Sequence, residues 1–358
     1  MRMKRRLTTA GAPTSVEGFQ RRSFLKAAAG IAATGMVSLP FVAHAATESS
    51  AATDIIRQGL FTGVGLPGIF AAVQQGYFLN ERIKVELQFF GNGPAMISAM
   101  LGGSLDITHA DTLSWASALV GGRNIVLVTP SSLAPTPDGD VKSTWRIVAS
   151  KASGVTTPAG LVGKKIGVGA SQLSMVTLKA WLEKSGIDPN AVKLEIVGQP
   201  QAMPNMLISG AVDAALFGDP AIRQVMQQVD SIILGWPYEV VPPQATFSGL
   251  FSTGDYAAAN AQLLVRYVRA FRRGAAYFNK ASQMERAQLM KQADVDLEVL
   301  DKKFPGLIDG FRYNRAADKP ANIADTQRWV DMGVKYGGVP KSIDINSFIH
   351  ATAKEALG

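Results

Sequence analysis

The chain has no cysteine among its 358 residues and only three histidines. The first absence excludes disulfides, thiolate metal sites, iron–sulfur clusters and a lipid-bearing N-terminal cysteine. The second leaves any metal to oxygen ligands with at most a histidine or two, and His109 and His350 do not stand at a metal-ligand spacing. Charge is scarce as well. Asp, Glu, Lys and Arg make up 18% of the chain against 47% hydrophobic residues, which describes a globular protein able to bury one large core or two modest ones. No nucleophile, base and orienting group occur in a recognisable arrangement, so no catalytic residue, metal or cofactor is assigned.

The net charge of +8 is concentrated at the start of the chain. Gln20 to Lys26 reads QRRSFLK, with Arg21 and Arg22 as the pair of a twin-arginine signal. A weakly apolar run, Ala27 to Ala43, leads to Ala43-His44-Ala45, a small-x-small cleavage site. Residues 1–45 are therefore read as an export signal that delivers the mature protein to the periplasm. An uncut membrane anchor fits less well, because the run is short for a span of about 20 residues and is loosened by Gly30, Gly35 and Pro40. The segment holds seven basic residues (Arg2, Lys4, Arg5, Arg6, Arg21, Arg22, Lys26) and one acid (Glu17); of 36 basic and 28 acidic residues, 29 and 27 remain, a net of +2. A nucleic-acid partner loses its support, since phosphate binding needs a concentrated basic face.

What the chain does have is a repeat. Gly91 to Asp111 (GNGPAMISAMLGGSLDITHAD) and Gly198 to Arg223 (GQPQAMPNMLISGAVDAALFGDPAIR) align at an offset of 107 residues, which matches Gly91 with Gly198, Ala95 with Ala202, Met96 with Met203, Gly103 with Gly210 and Asp106 with Asp213. The repeat extends upstream. Ile55 to Phe61 runs into a Gly-Val-Gly turn and a helix over Gly68 to Phe78, and Ile83 to Phe89 alternates in the two-residue period of a strand. Lys164 to Gly169, the helix Ser171 to Ser185 and the strand Val192 to Val197 repeat the series. Strands alternating with helices predict parallel α/β sheets, and one duplication at long period predicts two similar lobes. Trp145 to Ser150 and Phe247 to Ser252 are the predicted crossings between them. Beyond Asp255 the chain reads as helical: one helix carries Leu264, Val268, Phe271, Ala275 and Phe278 on one face and Arg266, Arg269, Arg272, Arg273 and Lys280 on the other, as a solvated face or a docking face. Further helices are predicted over Gln283 to Ala293, Ile323 to Lys335 and Ile345 to Ala356.

The stretches Lys151 to Val168, Leu207 to Pro220 (LISGAVDAALFGDP) and Gly65 to Phe78 (GLPGIFAAVQQGYF) together resemble the solute-binding proteins of ABC importers, nearest to the nitrate, taurine and alkanesulfonate branch. The resemblance covers nearly all of Asp54 to Gly358. It implies a type II periplasmic binding protein fold: α/β, with two mixed, mostly parallel sheets joined by two crossing strands and a helical C-terminal part. It also implies lobe I over 46–148 and 249–358, lobe II over 149–248, a monomer, and a membrane permease as partner. A related branch makes the thiamine pyrimidine, but depends on a cysteine-rich motif that this chain lacks; a pyrimidine-precursor binding protein or enzyme is the alternative function.

In a doubly wound sheet ligands sit beyond the carboxyl ends of strands, where helix N-termini converge and their free N–H groups favour an anion. Five such turns supply the candidate ligand-binding residues: Gly65 and Leu66, Gly93 and Pro94, Asp111 and Thr112, Ala170, Ser171 and Gln172, and Phe217 and Asp219. Ordinary helix capping accounts equally well for each turn taken alone, above all at Ser171 and at Asp219-Pro220. His109 either touches ligand or is a structural histidine, and Asp106 and Asp213 read as structural. Phe217, Trp115 and Trp236 leave room for an organic body beside the anion. The expected ligand is thus a small anion or small organic solute. Gly-Val-Gly-Leu-Pro-Gly only superficially resembles a dinucleotide fingerprint, because its third glycine is misplaced and no acid ends the next strand.

Overall fold

The computed structural model describes residues 53–61, 66–90, 93–134, 145–198, 202–218, 221–291 and 317–355. The export signal, Gly65 and Asp219 lie outside the described residues. The first half of the chain lays down β1 (Asp54–Phe61), α1 (Pro67–Gln74), α2 (Tyr77–Asn80), β2 (Ile83–Phe90), α3 (Gly93–Leu101), β3 (Ile107–Asp111), α4 (Thr112–Val120) and β4 (Ile125–Leu133). Then follow β5 (Arg146–Ser150), β6 (Lys165–Gly169), α5 (Gln172–Lys184), β7 (Lys193–Val197), α6 (Met203–Ile208), β8 (Ala214–Phe217), α7 (Ala221–Gln228) and β9 (Ser231–Gly235). β10 (Thr246–Thr253), α8 (Gly254–Ala259), α9 (Ala261–Lys280), α10 (Gln283–Met290), α11 (Ile323–Lys335) and α12 (Ala351–Lys354) complete the described elements.

Two five-stranded sheets result, ordered β2-β1-β3-β10-β4 and β7-β6-β8-β5-β9. They correspond position by position. β1 and β6 pair in parallel with neighbours on both sides, and in each sheet the fourth strand runs antiparallel to both of its neighbours. That fourth strand is β10 in the first sheet and β5 in the second. Each lies wholly in one sheet, so neither strand itself carries the chain from one sheet to the other. The predicted crossings at Trp145 to Ser150 and Phe247 to Ser252 are corrected accordingly.

The repeated residues hold equivalent places. Asp106 accepts from the Arg57 backbone N–H at 2.8 Å and from the Arg57 guanidinium at 2.5 Å, and Asp213 accepts from the Lys165 backbone N–H at 2.8 Å. Each aspartate thus ties the entry of the third strand of its series to the first strand, at Arg57 within β1 and at Lys165 at the start of β6. Met96 and Met203 both pack over a glycine of the second strand of their sheets, Gly59 on β1 and Gly167 on β6. A Cβ on Gly59 would fall 2.6 Å from Leu105 Cδ1, and one on Gly167 3.3 Å from the Ala215 Cβ.

The first sheet is covered on one face by α1 and α9 and on the other by α3, α4 and α11. α9 approaches α1 closely at Gly274, where a Cβ would fall 2.4 Å from Gly68 O. The basic stripe of α9 is only partly solvated: Arg273 and Lys280 are exposed, but most of its arginines are engaged. Arg266 pairs with Asp54 at 2.5 Å and Arg269 with Glu81 at 3.1 Å, and the Arg273 guanidinium lies 4.4 Å from the Tyr77 ring centre. Arg272 is buried and donates to the carbonyls of Thr352 and Glu355, closing the end of α12.

Two predicted helices are broken. Gly76 adopts φ 69°, a left-handed conformation that glycine reaches without strain, and divides Gly68 to Phe78 into α1 and α2. The segment predicted over Ile345 to Ala356 is a 3-10 turn, Ile345–Phe348, then α12, because the His350 N–H bonds to Leu127 O at 3.0 Å on β4 instead of continuing a helix. No helix among the described residues is long and apolar enough to cross a membrane.

Candidate functional site

The carboxyl ends of β3, β6 and β8 define the end of each sheet at which helices begin. α4 starts from Asp111 and α5 from Ser171. These two helices, one from each sheet, touch: the Ser117 hydroxyl of α4 lies 3.4 Å from Gln172 Oε1 of α5. Between them stands Tyr238, from the 3-10 turn Pro237–Val240 that follows β9. Tyr238 is buried, with the Ser174 side chain and the Asp111 carboxylate acting on its phenol. Its phenol is pushed well above the usual range, chiefly by burial, with Asp111 adding to the rise and Ser174 opposing it. An aromatic series runs on from it, to Trp145 at 6.3 Å and Phe247 at 5.1 Å between ring centres.

The sequence candidates divide into those that stand at helix starts and those that build the frame. Asp111 caps α4, accepting from the N–H groups of Leu113 at 3.1 Å and Ser114 at 2.9 Å and from the Ser114 hydroxyl at 2.6 Å. Burial raises its pKa and these bonds oppose the rise. Ser171 is exposed and caps α5, accepting from the Ser174 N–H at 3.1 Å, while Gln172 is half-buried beside α4. Gly93 opens α3 partly exposed, and Pro94 follows it in that helix.

Four candidates belong to the frame. Thr112 is fully buried and its hydroxyl donates to Thr246 O at 2.5 Å, fastening α4 to β10. The Ala170 N–H, expected to be free, donates to Val197 O at 3.2 Å and extends the β6–β7 ladder. Leu66 precedes α1 with its side chain in the core, so only its backbone can meet a ligand. Phe217 is buried against α6 and α7. Trp115 is core as well, with its indole N–H on Ile125 O at 2.9 Å and its ring 5.1 Å from Phe251. Trp236 is the ring that stays at the rim, half-buried, with the Arg146 guanidinium 6.0 Å from its centre.

His109 is buried on β3 opposite Leu250, and burial lowers its pKa to about 4, so it is neutral at neutral pH. Among the described residues no group of three His, Cys, Asp or Glu side chains could hold a metal ion. Sequence reasoning missed Tyr238, Ser174 and three serines, Ser131, Ser132 and Ser248, at the adjoining end of β4 and β10. For Tyr238 the run Trp236-Pro237-Tyr238 was a signal, since aromatic residues beside a proline mark the place where the chain turns back. For the serines there was none.

The duplicated two-sheet architecture, with helix N-termini of both sheets meeting at one end, is that of the periplasmic binding proteins. Residues 66–283 match the NMT1/THI5 like family, and the chain belongs to it. No curated protein sequence matches the chain significantly. Among solved structures it is similar to the periplasmic aliphatic sulphonate binding protein SsuA from Escherichia coli, with TM-score 0.65, 20% identity, and coverage of 83% of this chain and 97% of that one. It is similar as well to the alkanesulfonate-binding protein SsuA from Xanthomonas axonopodis pv. citri bound to MOPS, with TM-score 0.64, 18% identity, and coverage of 84% and 99%. The periplasmic nitrate-binding protein NrtA from Synechocystis PCC 6803 aligns with TM-score 0.63 and 12% identity over 84% and 86% of the two chains. At these identities the likeness is one of fold.

Proposed function

We propose that this chain is the solute-binding component of an ABC importer and captures a small organic anion, of the sulfonate, taurine or nitrate kind, between its two sheets. The observation that carries this reading is the junction at Tyr238, where the capped N-termini of α4 and α5 come together from opposite sheets. Backbone N–H groups and helix dipoles at such a junction favour negative charge without a lysine or arginine. Asp111 spends its oxygens on capping α4, which argues against its serving as the counter-charge of a cationic ligand.

In this reading the lobes are those expected, 46–148 with 249–358 and 149–248, adjusted so that β5 belongs to the second lobe and β10 to the first. The protein works as a non-catalytic monomer in the periplasm, reached by the twin-arginine route, and hands its ligand to a membrane permease. Ligand contacts come from the backbone of Gly65, Leu66 and Gly93 in the first lobe and from Ser171 and Gln172 in the second. Asp219 of the second lobe and Pro94, which follows Gly93, are proposed as further contacts.

The test is thermal stabilisation of the purified mature protein by ethanesulfonate, taurine and nitrate, with mass spectrometry of whatever co-purifies. At least one anion should raise the melting temperature in a concentration-dependent way and be recovered unchanged. Stabilisation by a pyrimidine or a cation alone, or turnover of the bound compound, would replace this reading with the alternative one.

A further inference from the structure

We infer that Ser131, Ser132 and Ser248 form a hydroxyl relay that donates one hydrogen bond to an oxygen of the bound anion; the inference rests on the anion-binding reading above. β10 enters the first sheet at the end where β3 stops, and Ser248 lies directly opposite Asp111 on β3 and opposite Ser132 on β4. Beyond that pair the register slips, with Gly249 opposite Pro130, so Ser131 is left as the extra residue of a bulge. A bulge re-aims a side chain that regular alternation would send to the other face. Its effect here is that two successive serines reach one partner: Ser131 Oγ lies 2.8 Å and Ser132 Oγ 2.6 Å from Ser248 Oγ.

The count of hydrogens gives the chemistry. Each serine hydroxyl has one hydrogen to donate and can accept two. Three hydroxyls joined by two contacts use two hydrogens, and whichever way the chain of donors runs, one O–H is left over. Among the described residues no further acceptor bonds any of the three. All three side chains belong to residues at least nine-tenths buried, with exposures of 1% for Ser131, 9% for Ser132 and 8% for Ser248. A donor held out of water without an acceptor is unfavourable, and native proteins tolerate it where function supplies the partner. The partner must offer a lone pair, which an oxyanion does and an ammonium does not. Hydroxyls in series polarise one another, so the terminal O–H is a stronger donor than a lone serine. The relay carries no charge of its own, and Asp111 opposite Ser248 has its oxygens on the N-terminus of α4.

The experiment is titration of ethanesulfonate into the wild-type protein, Ser248→Ala and Ser132→Ala, together with melting curves of each with and without the anion. Ser248→Ala breaks the relay at its centre and should weaken ethanesulfonate binding about tenfold or more, the loss of one hydrogen bond to a charged acceptor. Its ligand-free melting temperature should fall too, because Ser131 and Ser132 lose their shared partner, and on top of that fall the shift produced by the anion should shrink. Wild-type affinity in both variants would overturn the relay and leave the proposed function standing. So would a variant that melts lower by the same amount with and without anion, since that is the mark of a purely structural serine. A wild-type protein that binds neither ethanesulfonate nor nitrate would remove the proposed function and the relay with it.

Discussion

Met203 rests on Gly167, its Sδ 3.4 Å from where a Cβ would stand, and in the other sheet Met96 rests on Gly59 at 3.2 Å. The two contacts differ in what else is near. A Cβ on Gly59 would also fall 2.6 Å from Leu105 Cδ1, whereas on Gly167 the nearest atom is the Ala215 Cβ at 3.3 Å. Gly59→Ala should therefore destabilise the protein by about 1–3 kcal/mol through overpacking, and Gly167→Ala by clearly less. Urea unfolding of the two variants checks the order, and equal losses would show that Leu105 gives way without strain.

A second expectation concerns the turn after α11. Gly338 sits against α5, where a Cβ would meet Val176 Cγ2 at 2.4 Å, and its carbonyl accepts from Ser117 of α4 at 3.0 Å. Beside it Lys335 pairs with Glu183 at 2.5 Å, Tyr336 donates to the same carboxylate at 3.0 Å, and Lys179 donates to Tyr336 O at 3.2 Å. The turn thus bonds helices of both sheets at once. Gly338→Val should push it away from α5, increase the radius of gyration of the ligand-free protein in small-angle scattering, and weaken anion binding several-fold. An unchanged scattering profile would mean that the turn follows α5 rather than holding it.

His109 predicts the shape of the stability curve in mild acid. Its folded pKa is about 4, against 6.5 for the free side chain, because burial disfavours the imidazolium. Between those values the unfolded chain takes up a proton that the folded chain refuses. The contribution is therefore complete above pH 6.5 and is lost as the pH falls toward 4, amounting to about 3 kcal/mol. Asp111, whose pKa burial raises, acts in the opposite sense through its own range. In His109→Gln the dependence between pH 4 and 6.5 should flatten, and the same slope in the variant would assign it to other groups.

Export supplies a fourth expectation. Arg21→Lys combined with Arg22→Lys should leave the precursor in the cytoplasm, because lysine lacks the planar fork of the guanidinium pair. Cell fractionation decides it. Normal export would mean that the signal is read by the general secretory route.

How far the chain could be read beforehand followed from where the identities fall. The duplication was legible because Met96 and Met203, and Asp106 and Asp213, occupy equivalent places in the two sheets, and geometry holds them there. The arginines of α9 were misread because helical period reveals a polar face but not that Asp54, Glu81 and two C-terminal carbonyls stand opposite it. Ala170 and Thr112 were placed at the right end of the sheets, yet sequence could not show that the amide of one and the hydroxyl of the other were already engaged. The serine relay was invisible for a different reason. It joins residues 116 and 117 positions apart through a register slip, and slips leave no local pattern.

The position of β10 bears on how the protein is made. In the first sheet β3 and β4 do not bond each other; β10 fills the space between them. A ribosome that has released everything up to β9 has therefore delivered a first sheet with a gap in its middle, and β4 has no neighbour until Thr253 emerges. The second sheet, whose β5 precedes its other strands, can close without delay. Assembly of the first half is thus deferred until most of the chain exists. A chain cut anywhere before Thr246 should leave its N-terminal half unable to fold, however complete that half looks when read as a domain.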